Sequence, residues 1–219
     1  SSERYDDGFT PTYSRGTVQR PGDAGPYKVY RNEPGYVDTE VNTYALSADF
    51  SGEHLSFSSV TAFRNWEQDL QQDFDFSSVP YFIGVSQPDV EQVSQEIRLG
   101  SGDANESYQW TLGAYYSDRT LYNVSGYEFP SGHPQMPGLD ELLTVASTSD
   151  EDAAIYWQSS FTLEGGLTLT GGLRYQNSDR SINRDSDNPQ IPGVNNRRGW
   201  DDVLPKFGAA YSLGDKDTL

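Results

Sequence analysis

The chain has 219 residues, and its 33 acidic side chains outnumber 15 basic ones for a formal net charge of -18, so it lacks the Lys/Arg surface that a phosphate backbone requires and no nucleic-acid partner is expected. It contains no cysteine, which rules out a disulfide framework and a thiolate metal site, and no run of about 18 apolar residues exists to form a transmembrane helix. Only 34% of it is hydrophobic yet 13% is aromatic, a mix that points away from a disordered acidic chain and toward a folded β-rich protein with half-polar sheets.

From Ser1 to Glu40 the sequence is rich in Gly, Pro, Tyr and charge, holds no period, and reads as a loop region. Its start, "SSERYDDGFTPTY", has no basic segment followed by an apolar one, so no signal peptide is expected there, and the start reads like the middle of a longer sequence. Alternation begins at Val41: Tyr44, Leu46, Ala48 and Phe50 share one face, and Thr43, Ala45, Ser47 and Asp49 the other. A tight turn at Ser51 to His54 leads to a partner strand, Leu55 to Trp66. There Val60 and Ala62 fall out of phase with Phe63, and a bulge near Ser58 to Val60 is expected to reconcile the two halves. Glu67 to Asp89 is long, acidic and aromatic, and reads as loop.

Val90 to Thr120 carries the clearest hairpin. Val93, Ile97 and Leu99 oppose Ser94, Glu96 and Arg98 in its first arm; Tyr108, Trp110, Leu112, Ala114 and Tyr116 oppose Gln109, Thr111, Gly113 and Tyr115 in its second. "GSGDANES" between them is turn chemistry. A second long irregular segment, Leu121 to Asp150, precedes a strand from Ala153 with Ile155, Trp157, Ser159 and Phe161 on one face. After a short "LEGG" turn, Leu167, Leu169, Gly171, Leu173 and Tyr175 oppose Thr168, Thr170, Arg174 and Gln176. Asn177 to Asp202 is the third long segment. Val203 to Leu213 is the last full strand, Gly214 to Asp217 a tight turn, and Leu219 the start of another strand.

Short turns therefore alternate with long segments. In an up-and-down antiparallel sheet this sorts all short turns to one rim and all long loops to the other, as in an outer-membrane barrel with short periplasmic turns, long extracellular loops, lipid outside and a polar lumen. The expected fold is all-β: an antiparallel meander over 41–219, about seven strands plus the start of an eighth, forming part of a large transmembrane barrel. A soluble β-sandwich or lectin-like glycan-binding module is the alternative, although it has no reason to sort its loops by length. Charge placement agrees with the barrel. An arginine on the lipid face near the midplane costs about 2–4 kcal/mol, and Glu96, Arg98 and Arg174 all fall opposite the apolar positions. Tyr108, Tyr116, Tyr175 and Tyr211 lie near strand ends on the apolar face, where an interfacial girdle forms.

The segments "VSQEIRLGS" and "YQWTLGAYYSDRT" resemble a hairpin of TonB-dependent outer-membrane receptors, in which a Ser-Gln-Glu-Ile/Leu-Arg-Leu strand precedes a Trp-x-x-Gly-x-Tyr strand. "AIYWQSSFTLEGGLTLTGGLRYQ" is similar to the family's next hairpin, "LPKFGAAYSL" to the strand after it, and "LSFSSVTAFRNWEQDL" to an earlier strand. The resemblance implies a barrel of about 22 strands around an N-terminal plug in the bacterial outer membrane. It also implies energised uptake of a scarce solute such as a ferric siderophore, cobalamin or an oligosaccharide, with outer-membrane lipid and a small-molecule or metal-chelate substrate as partners. TonB would act through a plug region lying outside these residues.

No G-x-S-x-G, P-loop, H-E-x-x-H or strand-following G-x-G-x-x-G is present, and no enzyme activity, cofactor or metal is expected. His133 and Met136 share a loop that could meet a haem or metal chelate, and Asp69/Asp73/Asp75 and Asp185/Asp187 are carboxylate clusters that could meet Ca²⁺; solvated loops are the expected reading of both. Ligand contacts are expected from loop and lumen residues: Trp66, Phe74, Tyr81, Phe82, Tyr122, Tyr127, Phe129 and Trp200 as aromatic faces, and Arg64, Arg119 and Arg180 as partners for anionic groups.

Overall fold

A computed structural model of the chain describes the backbone of residues 2–5 and residues 33–74, 81–102, 107–130 and 137–212. It contains β1 (Ser2–Tyr5), β2 (Tyr36–Ser51), β3 (Leu55–Asp73), β4 (Ile83–Ser101), β5 (Tyr108–Glu128), β6 (Glu141–Thr162), β7 (Leu167–Ser186) and β8 (Val194–Tyr211). These form one eight-stranded sheet in which each strand pairs antiparallel with the next in sequence. The sheet does not close on itself.

Period-two side-chain alternation and unbroken registers give the sheet two chemically distinct faces. On one, Phe50, Leu46, Tyr44, Leu55, Phe57, Phe63, Ile97, Leu112, Ile155, Trp157, Leu173 and Phe207 form an apolar band beside the short turns. Among the described residues nothing covers it: Leu46 is 74% exposed and Phe207 86%. A soluble sandwich would bury such a face against a second sheet, yet among the described residues there is one layer and the buried apolar residues are only Ile83, Val90, Phe129 and Ala154. The sandwich alternative is therefore not the architecture. The solvent this face requires is hydrocarbon.

The band is tilted against the ladder. The cross-strand row through Tyr44 passes Phe63, Val93, Asp118, Glu151 and Asp179 to reach Gly199, whereas the apolar positions of β8 stop at Val203, four residues nearer the short turns. Such a stagger is what strands inclined to a barrel axis produce. Tyr108 and Tyr211 mark the turn-side edge of the band, and Tyr44, Tyr116 and Tyr175 the other edge, all at least 40% exposed. This is the arrangement of two aromatic girdles.

Four expectations are corrected. The strands do not stop after about ten residues: β5 has 21 and β6 22, so most of Glu67 to Asp89, Leu121 to Asp150 and Asn177 to Asp202 is strand. Beyond the band both faces are polar, so hydropathy alternation vanishes while the backbone ladder continues. The connections at that end shrink to 74–82, 129–140 and 187–193, still longer than 52–54 and 163–166 at the opposite end.

Secondly, the bulge near Ser58 to Val60 is not formed. β3 keeps one register with β2 from Tyr36↔Gln71 to Ser51↔Ser56, and one with β4 from Leu55↔Ser101 to Asp73↔Ile83. A bulge would leave backbone groups out of the ladder, whereas placing Val60 and Ala62 on the polar face beside Arg64 leaves only two small apolar side chains there. Thirdly, the 1–40 loop region contains strand: β1 pairs Ser2↔Glu40 through Tyr5↔Val37, and β2 begins at Tyr36, just after Gly35 at φ 67°. Fourthly, β1 adds a strand before the one expected at Val41. Residues 6–32, the centre of "GSGDANES" at Asp103 to Glu106, and the end from Leu213, with its expected turn and strand start, lie outside the described residues.

The "LEGG" turn forms as expected. Gly165 and Gly166 take φ 100° and 86°, a region that side chains rarely adopt, and Leu163 N–H donates to the Leu167 carbonyl at 2.8 Å.

Candidate functional site

The polar face carries three groups of residues at successive heights above the short turns. The lowest crosses β4 to β7 in the row Arg98↔Gly113↔Tyr156↔Arg174. Tyr156 leans over Gly113 and donates its hydroxyl to Glu96 Oε1 at 2.8 Å, while Arg98 donates to Tyr156 Oη at 3.1 Å and to Glu96 Oε2 at 2.6 Å. The Arg174 guanidinium lies 5.9 Å from the ring centroids of both Tyr115 and Tyr156. Up β7 the chain of bonds continues from Arg174 to Gln176, Gln176 to Ser178, and Ser178 to Asp152. These bonds tie β4 to β6 across β5, and β6 to β7.

Above it lies a single cross-strand row: Thr43↔Arg64↔Gln92↔Arg119↔Asp150↔Arg180↔Arg198. Asp150 is the only carboxylate in it. It receives Arg119 at 3.2 Å on one oxygen and Arg180 at 3.2 Å on the other, and Arg180 stacks over Trp200 with 5.3 Å to the ring centroid. Among the described residues no ion pair holds Arg64 or Arg198.

The third group is aromatic and sits at the far end of β3, β4 and β5. Phe74, Phe82 and Tyr127 meet with centroids 5.4 Å (Phe74–Tyr127), 5.5 Å (Phe82–Tyr127) and 6.4 Å (Phe74–Phe82) apart, and Phe129 joins at 6.3 Å from Phe82. Phe74 folds over Gly84, where a Cβ would come within 2.9 Å of its ring. Edge-on packing of this sort is favourable for aromatic rings. Phe129 is buried, whereas Phe74 keeps 44% of its surface exposed.

The structure thus brings together most of the residues singled out from sequence. Arg64, Arg119 and Arg180 occupy one row; Trp66 lies one row above Arg64 on the same face, and Trp200 one row below Arg198. Phe74, Phe82, Tyr127 and Phe129 form the cluster, and Tyr81 adjoins it in sequence at 45% exposure. Tyr122 does not join them. It pairs with Asp89 and Ser147 on the opposite face and is 50% exposed there. Asp69 and Asp73 also lie on that face, where Asp69 accepts from Tyr36 at 2.8 Å and Gln87 at 3.3 Å. Asp185 is the penultimate residue of β7 and Asp187 lies just beyond the strand, while Asp75, His133 and Met136 lie outside the described residues.

Asp150 and Arg198 were missed in the sequence. Both fall in stretches read as loop, although "NNRRGWDD" already sends Arg197 and Arg198 to opposite faces once it is read as strand.

Basic residues are segregated by face, whereas acids stand on both. Among the described residues of β2 to β8, every Arg and Lys except Arg197 lies on the polar face, whereas Glu67, Asp89, Glu91, Asp118, Glu151 and Asp201 stand on the other face beyond the apolar band. Arg197 itself makes a two-pronged pair with Asp179, at 2.8 and 3.0 Å. Those hydrogen bonds hold the Asp179 carboxyl below the usual carboxylate range.

A one-layer antiparallel meander with an apolar band on one face and a hydrogen-bonded, charged wall on the other is a segment of a large membrane β-barrel. Residues 1–219 match the description "TonB dependent receptor-like, beta-barrel", and the chain belongs to that family. Its fold is similar to that of the ferric yersiniabactin uptake receptor FyuA from Yersinia pestis, with TM-score 0.70 and 20% identity over 83% of this chain and 27% of that one. The ferric citrate transporter FecA in its unliganded form is similar at TM-score 0.64 and 15% identity, over 83% of this chain and 26% of that one. The chain spans about a quarter of the length of these receptors. In a barrel of this fold the apolar face is the outer surface and the polar face lines the lumen.

Proposed function

We propose that this chain is wall from the barrel of a bacterial outer-membrane receptor that takes up a scarce solute, such as a ferric siderophore, cobalamin or an oligosaccharide, with TonB supplying energy through a plug region rather than through these strands. The apolar band meets lipid, and solute arrives from the side of the longer connections. The observation that carries this reading is the gathering, on the lumen side and above the band, of aromatic faces (Phe74, Phe82, Tyr127) and guanidinium groups (Arg64, Arg119, Arg180). Concave sites of this kind bind solutes by stacking and by charge-assisted hydrogen bonds. A transport receptor needs no reacting groups, and none is assigned.

Alanine substitution of Phe74, Phe82, Tyr127, Arg119 and Arg180 in the full-length receptor tests it. Cells carrying these variants should import the labelled solute more slowly at unchanged receptor abundance in the outer-membrane fraction. Unchanged uptake in every variant, or recovery of the receptor as a detergent-independent soluble monomer, would overturn the reading.

A further inference from the structure

We infer that the arginine row is a binding strip for a polyanionic solute, one bearing several carboxylate or comparable oxyanion groups. The inference rests on the receptor reading above and narrows its substrate class. Four guanidinium groups, Arg64, Arg119, Arg180 and Arg198, stand in one row with one carboxylate, Asp150. Arg180 and Arg198 are directly opposed in the ladder, a juxtaposition of like charges that destabilises a sheet unless something answers it.

Asp150 answers Arg119 and Arg180 only, at 3.2 Å each. The chain does not lack acids: it carries 33 of them, but Glu67, Asp89, Glu91, Asp118, Glu151 and Asp201 lie on the opposite face. Within the row four guanidinium groups stand with one carboxylate, and the next acid on the same face, Asp152, lies one level below and accepts from Ser178.

The geometry suits several anionic groups on one molecule. Ladder neighbours lie about 4.8 Å apart, so the guanidinium groups recur at roughly one or two strand spacings along the row. Arg180 lies over the Trp200 ring, 5.3 Å from its centroid, with its Nε 3.2 Å from Asp150, and a planar guanidinium of this kind suits two-pronged recognition of a carboxylate. A shallow open hollow on this wall is lined by Thr148, Asp150, Arg180, Ile182, Asn196 and Arg198. Asp150 holds Arg119 and Arg180 in place before the solute arrives, and the anion competes with it for them. A neutral solute has no use for four such groups in a row, and a cationic one is repelled by them.

The test uses the purified full-length receptor in detergent with propane-1,2,3-tricarboxylate as probe and its trimethyl ester as neutral control, followed by tryptophan fluorescence and calorimetry. The acid should bind with an affinity that falls as salt rises, and the ester should not bind. Arg180→Gln with Arg198→Gln should weaken the acid by about tenfold or more, the scale set by losing charge-assisted hydrogen bonds. Asp150→Asn should tighten it, a direction that loss of a merely structural pair would not give.

Equal binding of acid and ester, no acid binding up to about 10 mM, tenfold above a millimolar dissociation constant, or an undiminished affinity in the double variant each overturn the inference. The two levels separate cleanly. A receptor that binds the acid through these arginines, yet whose deletion costs the cell no uptake, supports the strip and overturns the transport reading. A receptor that imports solute equally well with Arg180 and Arg198 replaced overturns the strip alone.

Discussion

The phenol ring of Tyr156 lies directly across Gly113 of the neighbouring strand, so that a Cβ built at position 113 falls 2.2 Å from the Tyr156 Cζ. The missing side chain is what lets Tyr156 span β5 and reach Glu96 and Arg98 on β4. Gly113→Ala should push the ring away and break both bonds. Overpacking of this order costs about 1–3 kcal/mol, and the loss should appear in urea unfolding of the full-length receptor in lipid vesicles. Tyr156→Ala combined with Gly113→Ala should destabilise by less than the sum of the single changes, because the clash is then gone. Additive effects would show that the contact is not made.

Facing can be tested with one charge moved by one residue. Leu112 belongs to the apolar band and Thr111 to the polar face. Leu112→Arg should cost about 2–4 kcal/mol in a bilayer, whereas Thr111→Arg should stay within about 0.5 kcal/mol. Comparable costs at the two positions would contradict the assignment of faces.

The four tryptophans divide between the faces, Trp110 and Trp157 with the apolar band, Trp66 and Trp200 on the polar wall. In single-tryptophan variants reconstituted with brominated lipids, the first two should be strongly quenched and the last two should not. Quenching of Trp200 as deep as that of Trp157 would place β8 the wrong way round.

Asp179 and Arg197 supply a pH-dependent tie between β7 and β8 beyond the apolar band. Hydrogen bonds from Arg197, and then its charge, lower the carboxyl pKa in the folded protein. The tie is therefore complete above the ordinary aspartate value of about 3.9 and is lost as pH falls through the lower folded value. Carbon-13 carboxyl titration of the labelled receptor should show the Asp179 midpoint moving up toward the ordinary value in Arg197→Gln. A midpoint indifferent to that substitution rules the tie out.

Within the band, legibility was high for a simple reason. A strand between lipid and lumen must alternate, so Ile97 against Arg98, or Leu173 against Arg174, reveals its facing from spacing alone. Val60 and Ala62 misled because a small apolar side chain on the lumen wall costs little, and the alternation then looks broken where the backbone is regular. The stretches beyond the band misled for the opposite reason: water bathes both faces there, no hydropathy difference survives, and 21- and 22-residue strands read as short ones ending in loops.

The amino-acid sequence by itself determined that the chain is an antiparallel meander with one apolar and one polar face, since period two and turn residues are local properties of the chain. Only the tertiary structure decided which distant residues share a level. Arg64, Arg119, Arg180 and Arg198 sit in no common spacing, and Tyr122 looks as much a lumen aromatic as Tyr127 does. Their placement follows from strand register, and register is set by the ladder of backbone hydrogen bonds running through all the intervening strands, a sum that no single segment contains.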